Sequence, residues 1–462
     1  MVDFENWQSE LENKLATAVK IATSKQIEEF EVYMIRSRSV NAEVMNGLVN
    51  AKNGGQIGIG ARVVKNKKIG SASSSGLDDE AINFALDNAL QVATSLDQKD
   101  EKWEGFHSST DTGKEGKIDF DIINYDSEQV VNQIGEVIQE TKAMDDRIFA
   151  VGGNFNSTYG VMGVANSEEL LKSTKLTAII GNLNVQARDG GKIKSDNVSV
   201  FRNSVPETLL GLTEPAVSKI QKLLKSRKFG QSKQLPVVFD NSSATQMVGR
   251  SLSNAINGEA VINHQSAFAD KIGDSVAAND VTIYDDGQAF DIPRTLAIDA
   301  EGVARQTTTI IEDGVLLSYV FDTYHANIYD VNPTGNATRG GSQSYENNPN
   351  IGINPLRMET GSKSMDEIIT EIDEGILLTG GFMGLHTTNV VSGDFSVVNQ
   401  QAFEIIGGEI GDALEAVTVA GDHYEFFKKI TQIGNEQEVK PGFFGPPSII
   451  PSLELDGITI SG

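Results

Sequence analysis

Apolar positions recur at helical spacing at Phe4, Trp7, Leu11, Leu15 and Val19, which predicts an opening helix ending near Thr23. A strand-like run, "EEFEVYMIRS", follows, then alternating stretches "VNAEVMNGLVNAKNGG" and "QIGIGARVVKNKKIGSAS". Helical patterns return from Asp78, in "GLDDEAINFALDNALQVATSL", and from Asp126 to Met144. Between them, residues 98–119 are polar and glycine-containing and read as a long loop between subdomains. Hairpin-like strands around "AVGGNFNSTYGVMGVANSEEL" and "LTAIIGNLNVQARDGGKIKSDNVSVF" complete the first half.

The pattern changes at "LPVVFD", which begins at Leu235. Short alternating strands with Gly and Asn turns then dominate, as in "DVTIYDDG", "TTTIIEDGVLLSYVFDTYHAN" and "EGILLTGGFMG". One helix stands among them, Ser242 to Ala260. Its stripe is Ala244, Met247, Val248, Leu252, Ala255 and Ile256, with Ser243 and Gln246 as a capping box and Gly258 as its close. The expected class is α+β, with an N-terminal domain of helices on antiparallel sheets (1–228) and a β-rich C-terminal domain holding one buried helix (235–462).

Composition narrows the chemistry. The chain has 462 residues and no cysteine, which removes disulfides, thiolate nucleophiles and Cys-ligated metal. Its net charge is −26, so nucleic-acid binding would need a strong local basic patch. The best candidate is "SKIQKLLKSRKFGQSK", where Lys219, Lys222, Lys225, Arg227 and Lys228 read as the solvated face of a surface helix. No apolar run reaches the roughly 18 residues of a membrane span, and the acidic amphipathic start does not resemble a signal peptide. A cytoplasmic location is expected, with no membrane or nucleic-acid partner.

The obvious catalytic patterns fail one by one. His107, His264, His325, His386 and His423 are scattered, with no pair at i, i+4. Gly58-Ile59-Gly60 lacks the third glycine and helix of a dinucleotide loop and reads as a strand or bulge. "GDFSVV" around Ser396 lacks the context of a hydrolase nucleophile. Asp285-Asp286 and Glu312-Asp313 precede glycines and read as hairpin turns.

The segments "NAINGEAVINHQSAFADKIG", "DDGQAFDIPRTLAIDAEGVARQTTTIIEDGVLLSYVFDTYHAN", "TGNATRG", "NVVSGDFSVVNQQAFEIIGGEI" and "FFKKITQIGNE" occur in an order similar to that of the TldD/PmbA family. The chain resembles its TldE (PmbA) branch; weaker similarity covers the N-terminal half through "GIGARVVKNKKIGSASSSGLDDEAI" and "VANSEEL". The resemblance implies a chain that works with a TldD-type zinc metallopeptidase. The TldD helix carries HExxxH, two His as ligands and Glu as general base, and a Cys completes the site. Counting back from Gly258-Glu259, the resemblance places Gly249, Arg250 and Asn254 where that motif has His, Glu and His. It therefore implies no catalytic or metal-binding residue here, and zinc only in the partner subunit.

The implied role is one wall of a peptide cleft in a TldD-like complex that cleaves unfolded or modified peptides. Candidate wall residues are Asn389, Ser392, Gly393, Asp394 and Ser396, in "TTNVVSGDFSVVNQ", with peptide held by strand addition. A homodimer in isolation is compatible with it. The alternatives are a self-associating peptide-binding protein without a catalytic partner, a peptidase with an unrecognised site, and a modulator of DNA gyrase. The charge balance opposes the last.

Overall fold

The computed structural model describes residues 4–442 and 445–462. Helix α1 (Trp7–Ser24) opens it and buries Trp7, Leu11 and Leu15 at the predicted spacing. Strands β1 (Glu29–Met45), β2 (Leu48–Lys65) and β3 (Lys68–Ser75) follow, then α2 (Asp79–Ser95), capped by the Asp78 carboxylate. Helix α3 (Ser127–Met144) starts on a capping box of Asp126 and Gln129. Strands β4 (Ile148–Asn166), β5 (Leu171–Asp189) and β6 (Lys192–Arg202) complete one antiparallel six-stranded sheet, ordered β3-β2-β1-β4-β5-β6.

Helices α1, α2 and α3 cover one face, where Leu15, Ile82 and Ile134 pack on Val32, Ile59 and Val161. The other face is also buried over its middle: Tyr33, Ile35 and Met162 meet Leu296 and Tyr345 of the C-terminal half. Burial on both faces explains the continuous apolar run "VYMI" in β1. It also explains the glycines of "GIG", which lie in β2. A Cβ on Gly58 would meet the Tyr345 ring at 2.5 Å, and one on Gly60 the Tyr345 carbonyl oxygen at 2.4 Å.

Buried charges tie the halves together. Arg62 donates to both Glu31 oxygens (3.0 and 2.8 Å) and to Glu301 (2.7 Å). Arg339 reaches Glu31 at 3.2 Å and stacks over Tyr33. Glu31 and Glu301 are 1% and 3% exposed, so the pairing satisfies charges that would otherwise be costly to bury.

Helix α4 (Glu214–Leu223) leads to β7 (Ser232–Phe239). The basic stretch is thus helical only as far as Leu223: Lys225, Arg227 and Lys228 lie beyond it. Strand β7 is central to a nine-stranded sheet. The order is Phe382–Met383, Asp394–Asn399, Val417–Asp422, Leu453–Ser461, β7, Glu374–Leu378, Ala402–Ile406 and Glu409–Ala413, with Ile430–Ile433 beside Leu453–Ser461. A four-stranded sheet holds Ile283–Asp286 and Thr307–Glu312.

Helix α5 (Asn241–Ala255) follows β7 directly. All six predicted stripe residues are fully buried, against Phe239, Phe382 and Phe395 among others. Its start and end differ from expectation. The cap is Asp240, whose Oδ1 accepts from the Ser243 amide at 2.8 Å; Ser243 and Gln246 form no capping box. The strand runs straight into the helix, so the capping position falls three residues earlier. Gly258 does not close α5 but opens a second helix, α6 (Gly258–Ile262), capped by Asn257. Glycine is needed there because a Cβ would lie 2.2 Å from the Phe321 ring.

Two further expectations are corrected. Besides α6, the C-terminal half carries short helices at Thr323–Tyr329, Met365–Thr370 and Glu425–Lys428, so α5 is not its one helix. The stretch after Leu316 is not strand, because Asp322 caps the helix at Thr323 by accepting from the His325 amide. Asp285 and Asp286 are buried strand residues rather than a turn. Asp285 accepts from the Asn354 amide, Asn354 Nδ2 and Asn336 Nδ2 at 2.7, 2.7 and 3.0 Å. Glu312-Asp313 is a hairpin turn, with positive φ at Asp313 and Gly314. No helix among the described residues is long and apolar enough to cross a membrane.

Candidate functional site

Three positions on α5 decide what this helix can do. Gly249 is buried, and a Cβ built on it meets no atom within 4 Å, so there is room for a side chain that the sequence does not supply. Asn254 Nδ2 donates to the Gln265 carbonyl at 2.9 Å. Arg250 reaches across to the loop before Asp394: Nε donates to Thr388 Oγ1 at 3.1 Å, and a terminal nitrogen donates to the Thr388 carbonyl at 2.6 Å.

His423, fully buried, completes this cluster. Its Nε2 lies 2.9 Å from Thr388 Oγ1 and its Nδ1 lies 2.9 Å from Ser251 Oγ. Each imidazole nitrogen therefore faces one hydroxyl oxygen. Burial and the Arg250 cation push its pKa down to about 4, against an opposing pull from Asp422. The Thr388 hydroxyl also donates to the Leu385 carbonyl, so one residue joins α5, the loop and the Val417–Asp422 strand end.

This arrangement does not fit zinc. Glycine offers no ligand, a guanidinium is a cation without an accepting lone pair, and a carboxamide is not among the usual Cys, His, Asp or Glu donors of zinc. Among the described residues no three His, Cys, Asp or Glu gather as a metal site.

The five wall candidates lie just beyond Thr388. Asn389 and Ser392 are exposed on the loop; Asn389 Oδ1 accepts from the Val391 and Ser392 amides, so it shapes its own turn. Gly393 is buried with φ +90°, and a Cβ there would stand 2.1 Å from Asp422 Oδ2. Asp394 and Ser396 are exposed on the Asp394–Asn399 strand. That strand pairs with Val417–Asp422 along its whole length, but on its other side only Val398 and Asn399 pair, with Met383 and Phe382. Residues 394–397 therefore present a backbone edge without a strand partner among the described residues. Sequence reasoning missed Thr388, Ser251 and His423, because nothing along the chain links positions 251, 388 and 423.

The site is thus a buried helix whose Gly249, Arg250 and Asn254 offer no usual zinc donor, beside a sheet edge without a strand partner among the described residues. Residues 232–462 match the family model of the PmbA/TldA metallopeptidase C-terminal domain, and residues 30–93 that of PmbA/TldA metallopeptidase domain 1. The chain belongs to the PmbA/TldD family, on its TldE/PmbA side. Metalloprotease PmbA of Escherichia coli O157:H7 is 24% identical over 97% of this chain and 96% of its own length. A metalloprotease TldD homolog of Buchnera aphidicola is 27% identical over 70% of each chain. Among solved structures, TldE of Thermococcus kodakarensis superposes with a TM-score of 0.87 at 25% identity, covering 98% of this chain and all of that one. A candidate modulator of DNA gyrase from Thermotoga maritima gives a TM-score of 0.85 at 20% identity over 98% of this chain and shares its fold.

Proposed function

We propose that this chain is the non-metal-binding subunit of a TldD/TldE-type metallopeptidase complex acting on unfolded or modified peptides. The observation that carries the proposal is the Arg250–Thr388 clamp, with a cation standing where a zinc-binding helix needs a base. The zinc and its general base then belong to a TldD-like partner, and this chain contributes a wall of the peptide cleft. The unpaired edge at residues 394–397 suits strand addition, in which backbone hydrogen bonds hold a peptide of varied sequence. Met383 and Val391, each 59% exposed, flank the loop and suit a protein partner better than water.

A direct effect on DNA or gyrase is less well supported. Arg227 pairs with Asp412 and Glu404, and Lys219 with Asp196, so two of the five named cations of the basic stretch are engaged within the fold. Co-purification from native cells tests the assignment. An HExxxH-bearing chain in stoichiometric amount supports it; a homodimer alone supports the self-associating peptide binder instead.

A further inference from the structure

A large cleft lies away from α5, between the six-stranded sheet and the loops around residues 287–296, 336–343 and 352–355. It encloses about 770 Å³. Its described lining includes Arg294 and Arg305 but no Asp, Glu or Lys, in a chain of net charge −26. A cleft walled by one sign of charge in a protein of the other is an uncommon economy of placement.

Both arginines are held rather than loose. Arg305 donates from a terminal nitrogen to Asn354 Oδ1, and Asn354 is itself fixed by two hydrogen bonds to the buried Asp285, each 2.7 Å. The Arg305 Nε is buried and finds no acceptor among the described residues, so its guanidinium is under-satisfied. The carboxylates nearest in charge, Asp285 and Asp299, are pushed by burial to about 6 and about 7, which weakens them as counter-ions. Arg294 sits at φ +69° and donates to the Gly341 carbonyl at 2.9 Å. Gln343, also on the wall, has φ +51°; such conformations in bulky residues persist where the surroundings impose them, and they concentrate at binding sites. Beside these groups the wall has an apolar part, Ile35, Leu176 and Ile180, among uncharged polar residues such as Asn41, Asn156 and Thr158.

We propose that this cleft is an anion site taking the free C-terminal carboxylate of a short apolar peptide, with Arg305 and Arg294 as its cations. A guanidinium matches a carboxylate with two parallel hydrogen bonds, and the apolar part of the wall has no use in holding a bare inorganic anion. The choice of a peptide rests on the peptide-handling function proposed above. The anion site itself does not, and its test needs no catalytic partner.

The experiment is calorimetric titration of the full chain with an N-acetylated apolar tetrapeptide, its C-terminal amide, and inorganic phosphate. The free acid is expected to bind about tenfold or more tighter than the amide, as charge-assisted hydrogen bonds predict. Arg305→Gln should bring the two within about twofold, and Arg294→Gln should narrow the gap several-fold. The second variant decides the matter if the first fails to fold. Equal binding of acid and amide, no binding of either, tighter binding of phosphate, or a gap that survives in the folded variants overturns the proposal.

Discussion

Arg250 clamps Thr388 at both its hydroxyl and its carbonyl, fixing the loop that leads to the open sheet edge onto the side of α5. The same threonine hydroxyl lies 2.9 Å from His423, so a cation, a hydroxyl and an imidazole form one unit on the side of α5.

The imidazole should make stability pH-dependent. His423 is held down to about 4, below the ordinary 6.5, so the unfolded chain takes up a proton that the folded chain refuses between those values. Its contribution is present above pH 6.5 and is lost as pH falls toward 4, by up to about 3 kcal/mol. Denaturant unfolding at several pH values in wild type and His423→Gln checks this: the variant should lose less stability on acidification. Parallel profiles would contradict it.

Leu252, on the buried stripe of α5, is fully enclosed. Leu252→Ala should destabilise by roughly 2–5 kcal/mol through lost contacts and a residual cavity. An unchanged denaturation midpoint would show that α5 is not packed as described.

Glu301 neutralises Arg62 beneath both halves and also accepts from the Thr323 amide at 2.8 Å. Glu301→Gln should cost about 3–5 kcal/mol, because it leaves buried cations short of a counter-charge. Glu425→Gln, which breaks the exposed pair with Lys428, should leave the midpoint where it was. Similar effects from both would deny the buried network its role.

Asp394 and Asn389 should separate. Asp394→Ala, at the exposed end of the open edge, should lower peptide cleavage by the reconstituted complex while leaving the melting temperature unchanged. Asn389→Ala should lower both, since its side chain accepts two backbone amides of its own turn. Cleavage unaffected by Asp394→Ala would remove that residue from the cleft wall.

Much of this was legible along the chain, for a physical reason. The helices carry a local period, so the stripe of α5 and the helix starts near Asp78 and Asp126 could be read from neighbours alone. The errors fall where distant residues decide. Asp285-Asp286 resembles a turn because Gly287 follows, yet Asn336 and Asn354 bury it. Gly258 resembles a helix stop, yet the Phe321 ring dictates it. At the site, Gly249, Arg250 and Asn254 were visible as residue identities, whereas the Arg250–Thr388 clamp spans 138 residues of chain.

The most direct measurement is cleavage of a flexible peptide by this chain, by an HExxxH-bearing TldD-type partner, and by the two mixed. The subunit assignment predicts little turnover from either chain alone and a large gain on mixing, with zinc in the partner and none in stoichiometric amount here. Full activity from the partner alone, unchanged on adding this chain, or zinc-dependent cleavage by this chain by itself, would contradict it.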